Sequence, residues 1–524
     1  MLFRWFETRI DPFAEASAGR PPTTLVAFYV HFLAPVWPVF AALLVAGFLG
    51  SAIEVALVGF IGSLVDMMKA AENPDVFLDR HKWVLGGMAF VALVARPVVS
   101  TVHDLIKNQI IAPPLSNRIR WQTHRYVLRQ SLGFFQNDFA GRIANKIMQT
   151  GPALRDSVVQ LIDALWYALV QFMGAAVLFI AADWRLALPL LVWLVAYVAA
   201  LSWFVPRIKQ RATEASEARS MLTGRIVDSY TNILTVKLFA HTDREDAYAQ
   251  DALAEQMARW QASLRLITGM EMVLYSMNGV LIVAASGLAI WLWTHGLVSI
   301  GAIAVVVGLV MRIVTMSGWV MWVVAGIFEN VGVVHEGMQT IARDYAVVDV
   351  PEARPLVVSQ GAVRFEDVSF HYGRDRSGDE VQWRGVIERL SLDIAPGEKV
   401  GLVGRSGAGK STLVNLLLRF YDLESGRIVI DGQDIAHVTQ DSLRSQIGMV
   451  TQDTSLLHRS VADNILYGRP GASRVEVEQA AARAHAASFI AGLEDMKGNR
   501  AYAAQVGERG VKLSGGQRQR IAIA

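Results

Sequence analysis

No cysteine occurs anywhere in the 524 residues, which excludes a disulfide scaffold, thiol nucleophiles and cysteine-ligated metals. Charge is scarce as well. Asp, Glu, Lys and Arg make up 18% of the chain, against about 25% in soluble globular proteins, while apolar residues reach 53% and the mean hydropathy is +0.34. Nor is there an imbalance of sign: 49 basic against 47 acidic residues leave +2, so no polyanionic partner is called for and no nucleic acid is expected. A cleavable leader is also missing, because Arg4, Glu7, Arg9, Asp11, Glu15 and Arg20 precede any long apolar run. A length of about 150 residues per domain gives room for three to four domain-sized units.

What is abundant is apolar sequence concentrated in the first 330 residues. Six stretches reach spanning length: about 32–65, 83–103, 160–182, 186–206, 272–294 and 297–328. The third and fourth are separated by Asp183, Trp184 and Arg185 alone, which predicts a hairpin across the bilayer. Between the second and third lie eight basic residues (Lys107, Arg118, Arg120, Arg125, Arg129, Arg142, Lys146, Arg155). Between the fourth and fifth lie nine (Arg207, Lys209, Arg211, Arg219, Arg225, Lys237, Arg244, Arg259, Arg265). The alternate connections carry Lys69, Arg80 and Lys82, then Arg185, then none. The positive-inside rule therefore places residues 1–31, both long loops and everything after the sixth span in the cytoplasm, and the lipid bilayer of the cell membrane is the first partner. The two long loops read as helices that leave the membrane and turn back; about 25 residues each way at 1.5 Å rise reach roughly 35–40 Å. Glu54, Arg96, Asp163, Glu271 and Arg312 fall within or at the edges of spans, where charged groups face a bundle interior or a water-filled cavity. Glu54 and Arg96 are a candidate pair, and Arg312 is the deepest, with a lining of a translocation pathway favoured over a structural ion pair or snorkelling.

Past Phe328 a mixed stretch, 329–360, with Pro351 and Pro355, reads as a helix end and linker, and a different kind of domain occupies 361–524. Ala362–Phe365 and Val368–Tyr372 have strand character, GRDRSGDE at 373–380 reads as a hairpin tip or surface loop, and Lys399–Val403 reads as a short apolar strand. Immediately after it come Gly404, Arg405, Ser406, Gly407, Ala408, Gly409, Lys410, Ser411 and Thr412, then the helical run LVNLLLRFY. This is G-x-x-x-x-G-K-[ST] in a strand, loop, helix context. The glycines allow backbone amides to face phosphate oxygens at a helix start; Lys410 can reach the β and γ phosphates and the Ser411 hydroxyl can ligate Mg²⁺. A second helix start follows at Leu513, Ser514, Gly515, Gly516 and Gln517, with Ser514 as a cap.

The pair GRSGAGKST and LSGGQRQRIAIA, with VGERG at Val506–Gly510 before the second, resembles the ATP-binding domain of the ABC transporter superfamily. With six spans ahead of it the chain is similar to an exporter-type half-transporter. The resemblance implies an all-α six-span transmembrane domain (32–328) with long cytoplasmic helix extensions, followed by a P-loop α/β nucleotide-binding domain. It also implies ATP and Mg²⁺ as ligands and ATP-driven alternating access. It assigns Tyr372 to stacking on adenine and Gln452 to the metal and attacking water. The Leu513–Gln517 segment would go to the γ-phosphate held by an opposite subunit, and Glu508 near the interdomain contact. Short helices around Arg118–Arg129 and Arg219–Asp228 would couple the domains. A homodimer, or a heterodimer with a sister half-transporter, is implied, with a hydrophobic or amphipathic small substrate. A membrane-anchored ATP switch or receptor without transport, and an importer on the same fold, are the competing functions.

In the resembled family a strand ending in Asp–Glu follows the signature helix, supplying the metal-binding carboxylate and the general base, and a histidine lies beyond it. None of these occurs before Ala524. Asp431 and Asp453, the earlier acidic candidates, sit in turn contexts. The sequence is therefore read as a fragment, hydrolytically incompetent as it stands, with a central strand missing from a sheet that needs both faces covered.

Overall fold

The computed structural model describes residues 2–15, 19–71, 74–136, 138, 140–372, 386–452, 454–507 and 511–524, and they divide into two units. The first comprises 1–130 and 134–345; the second comprises 131–133 and 346–524.

The first unit is helical throughout. A short helix α1 (Leu2–Glu7) precedes six helical runs long and apolar enough to cross a membrane: Leu25–Lys69, which opens with a second helix, α2 (Leu25–Leu33), then Phe77–Leu128, Ala140–Ala182, Trp184–Thr231, Thr242–Thr294 and Ile300–Ile341. Within this first run the long helix starts at Trp37. A tight turn at Ala34–Val36 intervenes because Pro35 and Pro38 each lack an amide donor, so α2 is a separate helix. The expected hairpin at Asp183–Arg185 is present, with the Asp183 carboxylate accepting from the Arg185 amide at 2.8 Å. Extension beyond the bilayer is direct: the fourth run is a single helix, Ala187–Thr231, of 45 residues and the fifth, Thr242–Thr294, has 53. Arg118–Arg129 and Arg219–Asp228 lie within or at the very end of these long runs rather than in short helices of their own. The short helices are Leu132–Gln136 and Ile233–Leu238, at the two tips. The resemblance pointed to the arginines, whereas the chain reverses at these two short helices.

Spans three to six share one core, from Phe179, Leu186 and Leu190 to Leu281, Leu309 and Ile313. A polar relay crosses it: Trp193 Nε1 donates to Asn278 Oδ1 (3.1 Å), Asn278 Nδ2 to Ser317 Oγ (3.0 Å), and the Tyr197 hydroxyl to the Ser317 carbonyl (2.7 Å). Such bonds hold helices together where lipid offers no hydrophobic driving force. A second core joins α2 and the first span to Ile106, Ile110, Ile111, Leu115 and Ile119 of the second run and to Val334 and Met338 of the sixth. The second and third runs are interrupted by π-helical turns at Val91–Ala95, Ile106–Ile111 and Leu161–Trp166.

The second unit carries a four-stranded antiparallel sheet in the order β2 (Ile387–Ile394), β1 (Val363–Phe370), β3 (Ser425–Ile430), β4 (Gln433–Asp434). The two strands expected at 362–365 and 368–372 are one strand, bulged where Asp367 takes φ 46°. The charged insert 373–380 lies outside the described residues. Lys399–Val403 is not a strand: it joins no ladder among the described residues, and Val403 is 98% exposed. Ile447–Val450 shares that condition, with Met449 and Val450 exposed. Apolar composition marks a buried parallel strand, but only a paired neighbour makes one.

Candidate functional site

Beneath β1 and β3, Leu413 and Leu416 bury one face of the helix Lys410–Leu417 against Phe365, Ile428 and Ile430. That packing fixes where the helix begins. Its start is Gly409 at φ 83°, two residues after Gly407 at φ 82°; both are left-handed, which a Cβ disfavours. At Gly409 a Cβ would also come within 3.0 Å of the Val386 carbonyl. The 404–412 loop is thus wound as a cradle ahead of a helix N-terminus, and it fits a polyphosphate. Lys410 Nζ donates to the Gly404 and Arg405 carbonyls, both at 2.8 Å, so the ammonium folds over the loop it serves. Thr412 is buried and accepts from the Tyr372 hydroxyl at 3.0 Å.

Tyr372 is half-exposed and meets Phe370 and Tyr421 edge-on, with centroids 5.0 and 5.2 Å away. The structure therefore brings together Tyr372 and the 404–412 loop. The Ser411 hydroxyl and the Gln452 amide are hard oxygen donors of the kind Mg²⁺ takes. Gln452 lies exposed in an irregular segment, and no contact with the loop is observed among the described residues.

Leu513–Gln517 forms a second helix start. Ser514 caps the helix Gly515–Ile523 in a reciprocal capping box, its hydroxyl accepting from the Gln517 amide (3.3 Å) while Gln517 Oε1 accepts from the Ser514 amide (2.9 Å). Nothing lies within 4 Å of where a Cβ would stand on Gly515 or Gly516, so their backbone is open to approach. Leu513 packs against the core that holds Val461, Ile490 and Ile521. Arg520 stacks over Phe489 and donates to the His485 carbonyl at 2.9 Å, anchoring the helix.

Asp431 is engaged by the backbone. Its two oxygens accept from the backbone amides of Ser359, Gln360, Gly361 and Ala362 at 2.7–3.0 Å. Those amides, Gly361 and Gln360 foremost, hold its carboxyl far below the usual carboxylate range. Glu508 and Asp453 lie outside the described residues.

At membrane depth the expected Glu54–Arg96 pair forms at 2.6 Å, and it is larger than the sequence suggested. Arg312 Nη1 reaches the other Glu54 oxygen at 2.9 Å and Nη2 donates to the Tyr167 hydroxyl at 2.7 Å. One carboxylate thus holds two guanidinium groups from the second and sixth spans. Asp163 is a second node, taking Lys107 Nζ at 2.5 Å and His103 Nε2 at 3.1 Å. The signal for Arg312 was its depth; its partner could not be named before the helices were packed. An apolar cavity of about 860 Å³ is lined by Phe48, Val55, Phe60, Trp166, Met173 and Val305, with Ser63, Asp66 and Ser299 its polar members.

Comparison with known proteins adds the family context. The family model for the ABC transporter transmembrane region matches residues 26–317, and that for the ABC transporter matches 387–524. An uncharacterized ABC transporter ATP-binding protein of Haemophilus influenzae is 43% identical over 525 residues, covering 100% of this chain and 84% of its own length. An ATM1-type heavy metal exporter of Novosphingobium aromaticivorans is 39% identical over 334 residues, 62% of this chain and 52% of that one. The solved structure of a bacterial Atm1-family ABC exporter with ATP bound superposes with a TM-score of 0.78 at 28% identity, covering 94% of this chain and 83% of that one.

Proposed function

The chain belongs to the ABC transporter family, as an ATP-driven, exporter-type, multi-pass membrane transporter with a cytoplasmic nucleotide-binding domain, and from that premise we propose that one ATP is held between two copies. The observation that carries this reading is the presence of two separate anion-binding helix starts, Lys410–Leu417 and Gly515–Ile523. Neither surrounds a triphosphate alone. The 404–412 loop would take the phosphates from one side, with Lys410 released from its own carbonyls, and Tyr372 would meet the adenine. Ser514, Gly515 and Gly516 of a second copy would close the other side. Mg²⁺, when bound, neutralises phosphate charge; Ser411 and Gln452 would hold it.

A homodimer satisfies this arrangement, and so does a sister half-transporter carrying the same two segments. Closing two nucleotide domains would pull on helices that extend from the bilayer, and the apolar cavity favours a hydrophobic or amphipathic small substrate.

The test mixes copies. Lys410→Ala and Ser514→Ala chains, differently tagged and co-purified as mixed dimers in nanodiscs, carry one intact and one doubly altered site. Retained radiolabelled ATP should reach about half the wild-type occupancy in mixed dimers and fall well below that in either mutant homodimer. Equal loss in all three would reject a shared site.

A further inference from the structure

The amino-terminal helix α1 leaves two large apolar side chains, Phe3 and Trp5, uncovered on either flank of its packed residue Phe6. On a helix advancing about 100° per residue, Phe3 and Trp5 flank Phe6 at about 60° and 100° on either side, while Arg4 stands nearly opposite. Phe6 packs on the core that contains Ile106, Ile110 and Ile111, and Ile10 is buried within it. Phe3 and Trp5 remain 57% and 55% exposed, and the Arg9 guanidinium lies 3.6 Å over the Trp5 ring.

The depth of this helix follows from its neighbours. Past Arg96 the uncharged part of the second span ends at His103, and past Asp163 the uncharged part of the third begins at Ala164. His103 and Lys107 both bind Asp163, so these residues share one level: the cytoplasmic edge of the hydrocarbon. α1 packs against the turn Ile106–Ile111, which begins three residues past His103 and so lies about 4–12 Å beyond that edge. The headgroup layer occupies about 5–7 Å there. α2 lies in the same stratum, with the Tyr29 hydroxyl 2.7 Å from Ser157 Oγ, and it too leaves apolar side chains uncovered, Val26 and Val30, with Trp37 just after it.

We propose that α1 is an interfacial anchor whose exposed Phe3 and Trp5 insert into the cytoplasmic leaflet beside the spans, with Arg4 and Arg9 at the level of the lipid phosphates. The occupant is the bilayer this chain already crosses, because the patch continues the apolar belt of α2 at the same depth. Its composition also suits an interface: aromatic rings concentrate at headgroup level, and short amphipathic helices with basic residues lie in that plane.

The absence of cysteine makes the test clean. Phe3→Cys, Trp5→Cys and Glu15→Cys, each spin-labelled in the full chain, are reconstituted in phosphatidylcholine/phosphatidylglycerol vesicles. Relaxation by oxygen, which partitions into lipid, is compared with relaxation by a water-soluble nickel chelate. An oxygen-to-nickel ratio at position 3 or 5 about threefold or more above that at position 15 supports the anchor. Ratios at both positions no higher than at 15 overturn it, and so does protection of both labels from both reagents, which would mean that protein covers the patch.

Discussion

Replacing Glu54 by Gln should destabilise the transmembrane unit more than removing either arginine it binds. Glu54 is 16% exposed, between Arg96 at 52% and Arg312 at 29%. Arg312 Nε is buried with no hydrogen-bond partner, so this guanidinium depends on Glu54 and Tyr167. Breaking a fully buried pair costs about 3–5 kcal/mol; discounting for the exposed side of the node leaves about 2 kcal/mol for Glu54→Gln, which strands two positive charges near one another. Arg96→Gln leaves a neutral Glu54–Arg312 pair, and the half-exposed Arg96 should cost under about 1 kcal/mol. In nanodiscs, thermal unfolding should show Glu54→Gln falling by about 4 °C or more, at about 2–4 °C per kcal/mol, and Arg96→Gln by less than half of that. An equal or larger drop for Arg96→Gln would refute the idea that the carboxylate is the hub. If Arg312→Gln also abolishes substrate-stimulated ATPase in an active transporter while leaving Tm nearly unchanged, Arg312 acts on the pathway rather than on the fold.

Three further outcomes follow. Tyr372→Ala should weaken ATP binding about fivefold or more, as loss of a stacking surface does, whereas Tyr372→Phe, which loses only the bond to Thr412, should stay within about twofold; titration of a fluorescent ATP analogue separates them. Gly301→Ala places a Cβ 2.2 Å from the Gly62 carbonyl oxygen and should cost about 1–3 kcal/mol by overpacking, while Gly287→Ala, with nothing within 4 Å, should be neutral by the same melting assay. Asp431→Asn should lower the melting point of the nucleotide domain at neutral pH. Because Asp431 titrates lower folded than unfolded, its stabilisation is complete above about pH 4 and is lost as pH falls towards the folded value, so the gap between variant and wild type should narrow only below pH 4.

Much of the architecture is legible because its signals are local. A charge-free run of spanning length has few readings, and alternation of basic residues orients it. The phosphate loop is legible for the same reason, since Gly407, Gly409 and Lys410 carry their geometry with them. What escaped is relational. Arg419 looks like an ordinary helix-end arginine, yet its side chain is 5% exposed and binds Asp422 and the carbonyls of Val348, Ile435 and Val438, tying residues far apart in sequence. The π-helical turns leave no compositional mark either, although Lys107 and Asp163 each lie inside one. A turn of that kind shifts side-chain register by one residue, and such shifts recur at functional sites.

Two apolar segments join no strand ladder among the described residues. Val400, Leu402 and Val403 stand immediately before the phosphate loop, and Met449 and Val450 precede Gln452 with only Thr451 between. Each segment leads into a residue assigned to ATP, so pairing them in one sheet would set the distance between Lys410 and Gln452. The antiparallel sheet β2-β1-β3-β4 does not do this, because it packs against the helix after the loop rather than the segment before it. The loop can therefore hold its own shape, through Gly407, Gly409 and the Lys410 contacts, without a pairing between 399–403 and the segment before Gln452. It follows that binding of phosphate and coupling to the Gln452 segment are separable: a strand supplied between 399–403 and its neighbours should raise protection of the 399–403 and 447–450 amides from hydrogen exchange, while changing the protection of the helix Lys410–Leu417 little. Parallel gains in all three would show that the loop is no more preformed than the sheet.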